Sequence, residues 1–180
     1  LEPFALEPFA LKPFTLKPVA WRLAVAAACL AAHGIAGAAV TVNYVHDAQF
    51  TDLPRTPWQR QQALEDIGEH FQSLGKDLPA GQDLVIDVLD IDLAGSEEPN
   101  RFAPTGVRVL RHGGDWPRMH LRYSLVESGK VLKSGDAQLS DKSYGNRVNG
   151  YPSDARWPNE KRMIDDWWRA TIAPDRSAAR

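Results

Sequence analysis

The chain has 180 residues, 43% of them hydrophobic and 24% charged, with a formal net charge of −2 at pH 7. That balance lacks the basic field a phosphate backbone requires, which argues against nucleic acid as a partner. A single cysteine excludes an intramolecular disulfide framework.

Residues 1–20 run as pentads, LEPFA, LEPFA, LKPFT and LKPVA, with Pro3, Pro8, Pro13 and Pro18 in register. Proline every fifth residue removes a donor from each turn and excludes a helix. Two readings stand: a Pro-rich ligand strip, or upstream sequence read from a misassigned start. The second suits a chain whose only methionines are Met119 and Met163, and it places translation near Leu16 or Val19, at a non-AUG codon.

Residues 23–39, LAVAAACLAAHGIAGAA, form a 17-residue apolar run behind Lys17 and Arg22 and close on Ala36-Gly37-Ala38. A basic n-region, a short h-region and an A-x-A site are the layout of a cleavable export signal, with cleavage expected after Ala38 or Ala39. Spanning a membrane takes roughly 20 apolar residues, so an uncleaved anchor is the lesser reading. A lipoprotein signal at Cys29 would have an unusually short hydrophobic region. The expected organisation is therefore repeat and n-region over 1–22, h- and c-regions over 23–38, one α+β domain over 39–172, and a frayed tail over 173–180. The exported protein has no integral membrane span on this reading.

Cleavage at Ala38 leaves 142 residues with 18 basic and 21 acidic side chains and no cysteine. Exported domains often rely on disulfides; this one has to be stable through its core, and the length suffices for one.

The β-branched run at 40–45 predicts a first strand. Thr56-Pro57-Trp58-Gln59 predicts a helix start, with Thr56 as N-cap, Pro57 at the first position and Gln59 completing a capping box. Leu64, Ile67, Phe71, Leu74 and Leu78 recur at 3-4-3-4 spacing and make one buried stripe; Gly75 or Pro79 ends it. Residues 84–93, LVIDVLDIDL, predict a strand covered on both faces near its start. A short strand is expected at 108–111. Residues 117–126 alternate, with Met119, Leu121, Tyr123 and Leu125 on one face and Arg118, His120, Arg122 and Ser124 on the other. Glu127-Ser128-Gly129-Lys130 is a hairpin turn, and 131–139 the returning strand. Residues 141–157 show no periodicity and are read as a long loop, a feature that is often functional. Asn159 is expected to cap a last helix whose apolar side is Met163, Ile164, Trp167, Trp168 and Ile172. Its polar side would be Lys161, Arg162, Asp165, Asp166 and Arg169, with Lys161–Asp165 and Asp165–Arg169 at supportive spacings. The order β-α-β-(β)-β-β-α predicts one α+β domain: a mostly antiparallel sheet of four or five strands with two helices on one face.

Asp87, Asp90 and Asp92 interrupt the apolar strand, and carboxylates are rarely buried unpaired. Strict alternation puts Asp90 and Asp92 on one face and Asp87 on the other. They could form a metal or acid/base site with His46, His112 or His120, or they could pair across the sheet with Arg118 and Arg122. No histidine has zinc spacing, His70 reads as a flank of the helix stripe, and no nucleophile elbow, P-loop or dinucleotide fingerprint is present. No metal and no cofactor are therefore expected. Trp167 and Trp168 read as core. Trp116 and Trp157 precede proline, adjoin loops, and lie near Arg118 and Arg156. With Tyr144, Arg147 and Tyr151 of the long loop they form a candidate binding surface, since Trp, Tyr and Arg are frequent at binding hot spots.

The stretches LVIDVLDIDLAG, WPRMHLRYSL, QLSDKSY and EKRMIDDWWR, in that order, with DAQFTDL after the first strand, resemble a bacterial exported family known only as a domain of unknown function. The resemblance covers about residues 40–172. It implies a periplasmic or secreted proteobacterial protein and carries over no catalytic residue, ligand or cofactor. Asp90, Asp92, Gly95, Asp141, Tyr144, Glu160, Asp166 and Trp167 match its motifs.

The expected function is a non-enzymatic periplasmic or secreted domain that binds an envelope protein or glycan. The alternatives are a metal-dependent hydrolase using Asp87, Asp90 and Asp92, and a structural protein held at the envelope by residues 23–39.

Overall fold

The protein is represented by a computed structural model, which describes residues 38–100, 106–111, 113–152 and 154–173. The pentads, most of the signal segment and residues 174–180 lie outside that range. In chain order the elements are β1 (Ala39–Tyr44), α1 (Pro57–Leu74), β2 (Gln82–Asp92), β3 (Ser96–Glu98), β4 (Val107–Val109), β5 (Arg118–Glu127), β6 (Lys130–Ser140) and α2 (Pro158–Thr171). Short 3₁₀ turns follow β1 and α1. Four strands form a sheet in the order β1-β2-β5-β6, and β3 and β4 form a separate two-stranded ribbon. Among the paired strands of the described residues only β1 and β2 run parallel, so the domain is α+β with a mostly antiparallel sheet, as the element order predicted. Among the described residues no helix is long and apolar enough to cross a membrane.

Both helices cover one face of the sheet. Ala63, Leu64, Ile67 and Phe71 of α1 pack on Leu84, Ile86, Val88 and Ile91 of β2. Met119, Leu121 and Leu125 of β5, with Met163, Ile164, Trp167 and Trp168 of α2, complete the core. Burying each such side chain stabilises the fold by about 1.5–3 kcal/mol. Ser128 (φ 49°) and Gly129 (φ 78°) supply the two left-handed positions of the β5–β6 hairpin turn.

The structure corrects the sequence reading in several places. β2 is covered on one face only: Val85 is exposed, because it shares the open face with Ser124 of β5. A β-bulge lies between Val88 and Asp90, where Leu89 has no partner on β5. The extra residue shifts the alternation, so Asp87, Asp90 and Asp92 stand opposite Arg122, His120 and Arg118, all three on the open face. Thr56 is the N-cap of α1, yet its side chain makes no cap to the backbone; its hydroxyl donates to Gln59 Oε1 at 2.5 Å instead. α2 begins two residues early. Trp157 is its N-cap and Pro158, pre-set at a helical φ, takes the first position. Asn159 Oδ1 accepts from Asn149 Nδ2. Arg162, expected on the polar side, is buried. Neither supportive spacing along α2 closes into an ion pair among the described residues: Asp165 turns toward α1, and Arg169 pairs with Asp166.

Candidate functional site

The first turn of α2 meets the β3–β4 ribbon and the start of α1. Trp157 sits there at φ 55° and ψ 47°, a left-handed backbone that costs a bulky residue about 1–3 kcal/mol. Its indole N–H donates to Asp66 Oδ2 at 3.2 Å, and the Arg108 guanidinium lies 5.9 Å from its ring centroid. Those contacts hold the ring as one wall of a pocket of about 190 Å³, shared with Pro54, Gln59, Glu97, Arg108 and Arg156. Arg156 reaches Asp66 at 3.2 Å through Nε and also hydrogen-bonds Gln62.

Arg108 is the hinge pin of this corner. Its Nη1 donates to Asp52 Oδ2 at 2.7 Å, Ala94 O at 3.2 Å and Gly95 O at 3.0 Å. Its Nη2 is buried and has no hydrogen-bond partner among the described residues. Beneath lies Glu160, 2% exposed, whose Oε1 accepts the Ala94 N–H at 2.7 Å. Burial pushes the Glu160 carboxyl above its ordinary range against the opposing pull of its backbone hydrogen bonds. Gly95 has φ 77°, and a Cβ there would meet Val109 O at 2.4 Å, so the ribbon can approach only a glycine.

A match to the family described as "Protein of unknown function (DUF3016)" covers residues 38–170. The chain belongs to the DUF3016 family. No curated protein was found to match it. Within this DUF3016 domain, the stretches that carry the sequence resemblance bind one another. Ala94 of one is held by Glu160 of another. Asp141 Oδ2 and the Tyr144 carbonyl both accept from Arg162 Nη2, at 2.7 and 3.0 Å. Asp141 and Arg162 are 6% and 7% exposed. None of these residues lines the Trp157 pocket; they tie the matching stretches together.

The proposed surface residues divide. Trp157 lines the pocket. Tyr144 is buried, not on the surface, because its hydroxyl donates to Arg111 O at 3.0 Å. Tyr151 joins a clamp between the helices: its hydroxyl donates to Asp165 Oδ2 at 2.6 Å, and His70 Nε2 lies 2.8 Å from Asp165 Oδ1. Arg147 is exposed and pairs with Asp166 at 2.8 Å, beside a separate hollow. Trp116 is half-buried, with Arg118 and Lys142 each 5.4 Å from its ring.

The acidic residues have three separate sets of partners. Asp87 accepts from Asn43 Nδ2 at 2.9 Å. Asp90 accepts from Thr51 N and Oγ1, each at 2.7 Å. Asp92 takes the Arg118 Nε at 2.8 Å, and Arg122 stands across from Asp87. His120 bonds Asp136 at 2.7 Å, and His112 lies outside the described residues. Among those residues no three His, Cys, Asp or Glu side chains are placed to hold a metal.

The sequence reading sets Arg156 beside the candidate surface, whereas it does not place Trp58 and Arg108 on it. Trp58 is 69% exposed and precedes the pocket residue Gln59. Its position was readable: six residues before Leu64, it falls off the apolar stripe of α1 and so faces away from the core.

Proposed function

We propose that this domain is a non-enzymatic binding module, exported to the periplasm or beyond by residues 23–39, which recognises an envelope protein or glycan at the Trp157 corner. The single observation that carries the reading is Trp157 itself. A bulky aromatic is held in a strained backbone conformation with its ring partly buried in the wall of a pocket, and local strain of this kind clusters at functional sites. Support comes from Arg108 and Arg156 in the pocket and from exposed apolar side chains next in sequence to pocket residues, Trp58 before Gln59 and Val107 between Gly106 and Arg108. Exposed apolar side chains beside Trp and Arg are what a recognition surface needs.

The test is affinity capture with the tagged protein, exported by its own leader, against Trp58→Ala and Arg156→Glu versions. Captured envelope components are identified by mass spectrometry. The reading expects the protein in the periplasmic or extracellular fraction, and a component retained by the parent and lost from both variants. Identical capture by all three forms, or an unprocessed cytoplasmic protein, overturns it.

A further inference from the structure

A second hollow, of about 630 Å³, lies elsewhere, between β1 and α1. β1 is an edge strand, and among the described residues no strand pairs with its outer side. Its hydrogen-bonding parity follows from one contact: the Val45 N–H donates to Val88 O at 2.9 Å, in register with the pairing of Tyr44 and Val88. Odd-numbered residues therefore point their amides at β2. The N–H and C=O groups of Val40, Val42 and Tyr44 point outward, and Val42 and Tyr44 line the hollow.

The opposite wall is the face of α1 that carries Gln61, Glu65, Gly68, Glu69 and Gln72. Gly68 keeps the helix close, since a Cβ there would sit 3.2 Å from the Tyr44 hydroxyl, which itself donates to Leu64 O at 2.6 Å. Three carboxylates line the hollow, Asp47, Glu65 and Glu69, and no Lys, Arg or His does. A free strand edge with a helix alongside is the geometry in which an extended peptide adds as a further strand. Unpaired edges of this kind are otherwise kept blunted.

We infer that the β1–α1 groove docks an extended, basic peptide segment of a partner protein, which adds to the sheet beside β1. The main chain of Val42 and Tyr44 supplies the strand pairing, and Asp47, Glu65 and Glu69 select lysine or arginine side chains. This surface is independent of the Trp157 corner.

The probe is a capped hexapeptide of alternating lysine and valine, with an alternating glutamate–valine peptide as control. Binding is read by amide chemical shifts and by amide exchange on the whole protein. The lysine peptide is expected to saturate, with shifts at Val42 and Tyr44 and slowed exchange there, while the glutamate peptide does not bind. The double reversal Glu65→Lys with Glu69→Lys, both on the surface, is expected to weaken binding tenfold or more. Val42→Pro removes an outward donor and no bond to β2, which edge strands tolerate, and is expected to abolish the exchange protection. Equal binding of the two peptides, shifts confined to other regions, or unchanged affinity in the double reversal overturns the inference. So does full binding by a folded Val42→Pro protein; if that variant does not fold, the double reversal and the exchange data decide. Concentration-dependent dimerisation that protects the same amides without peptide also overturns it, by assigning the edge to a second copy.

Discussion

Arg162 and Asp141 form a 2.7 Å ion pair with both side chains almost wholly out of water. The same guanidinium also holds the carbonyls of Tyr144 and Arg147. One residue of α2 thus fixes the beginning and middle of the segment between β6 and α2. Removing Arg162 leaves the buried Asp141 with only the more distant Arg147, at 3.9 Å, as counter-charge, and breaking a buried pair costs up to about 3–5 kcal/mol. Arg162→Ala is expected to lose stability on that scale in urea unfolding, with amide exchange faster across residues 141–157. A loss under about 1 kcal/mol would show that the pair does not anchor the loop.

Glu160 makes the fold sensitive to rising pH. Its carboxyl titrates above its ordinary range because it is buried, so the folded state holds its proton more tightly than the unfolded chain does. That contribution is complete below the unfolded pKa and is lost as pH rises through the folded value. Glu160→Gln keeps an acceptor for the Ala94 N–H and removes the titration. Its stability relative to the parent is expected to improve from pH 4 to pH 8. Glu160→Ala orphans that N–H and is expected to lose about 1–3 kcal/mol. A Gln variant that loses ground as pH rises would contradict this account.

Asp165 acts in the opposite direction. Burial raises its carboxyl, but hydrogen bonds from His70 and Tyr151, with the charges of His70 and Arg169, outweigh burial and hold it below the ordinary range. Stability from a depressed carboxyl is present above the unfolded pKa and lost as pH falls through the folded one. Asp166 is lowered in the same sense: burial again raises it, and Arg147 and Arg169 more than reverse the effect. Asp165→Asn is therefore expected to flatten the acid limb of the unfolding curve in part, leaving the Asp166 share. An unchanged acid limb would remove Asp165 from the explanation.

Trp58 offers a separation of stability from recognition. Its side chain is mostly in water, so Trp58→Ala is expected to change unfolding free energy by no more than about 0.5 kcal/mol. Capture of the envelope component should nonetheless fall. A large stability loss would show that the indole is a structural contact.

Much of the fold was legible because the relevant signals are local. The alternation of 118–126, the Ser128-Gly129 turn and the α1 stripe each report on neighbours a few residues away. The illegible parts depend on distant partners. Arg162 looks like an ordinary polar-face residue until Asp141 is placed beside it, and Asp165 until His70 arrives from α1. The parallel join of β1 to β2, and the existence of β3, leave no periodic trace. For the site, Trp157 was readable from its loop position and Trp58 from its place off the stripe. Arg108 was not, since it gains its role from the carbonyls of Ala94 and Gly95.

Leu89 has a consequence for comparing chains of different length. It is the unpaired residue of the β2 bulge, and the pairings on either side, Val88 with Leu121 and Asp90 with His120, are those of an unbroken ladder. Deleting Leu89 would leave Ile91 facing the core and Asp90 and Asp92 facing outward. A one-residue gap in the middle of a central strand, ordinarily a sign that two sequences are misaligned, is here compatible with the same fold.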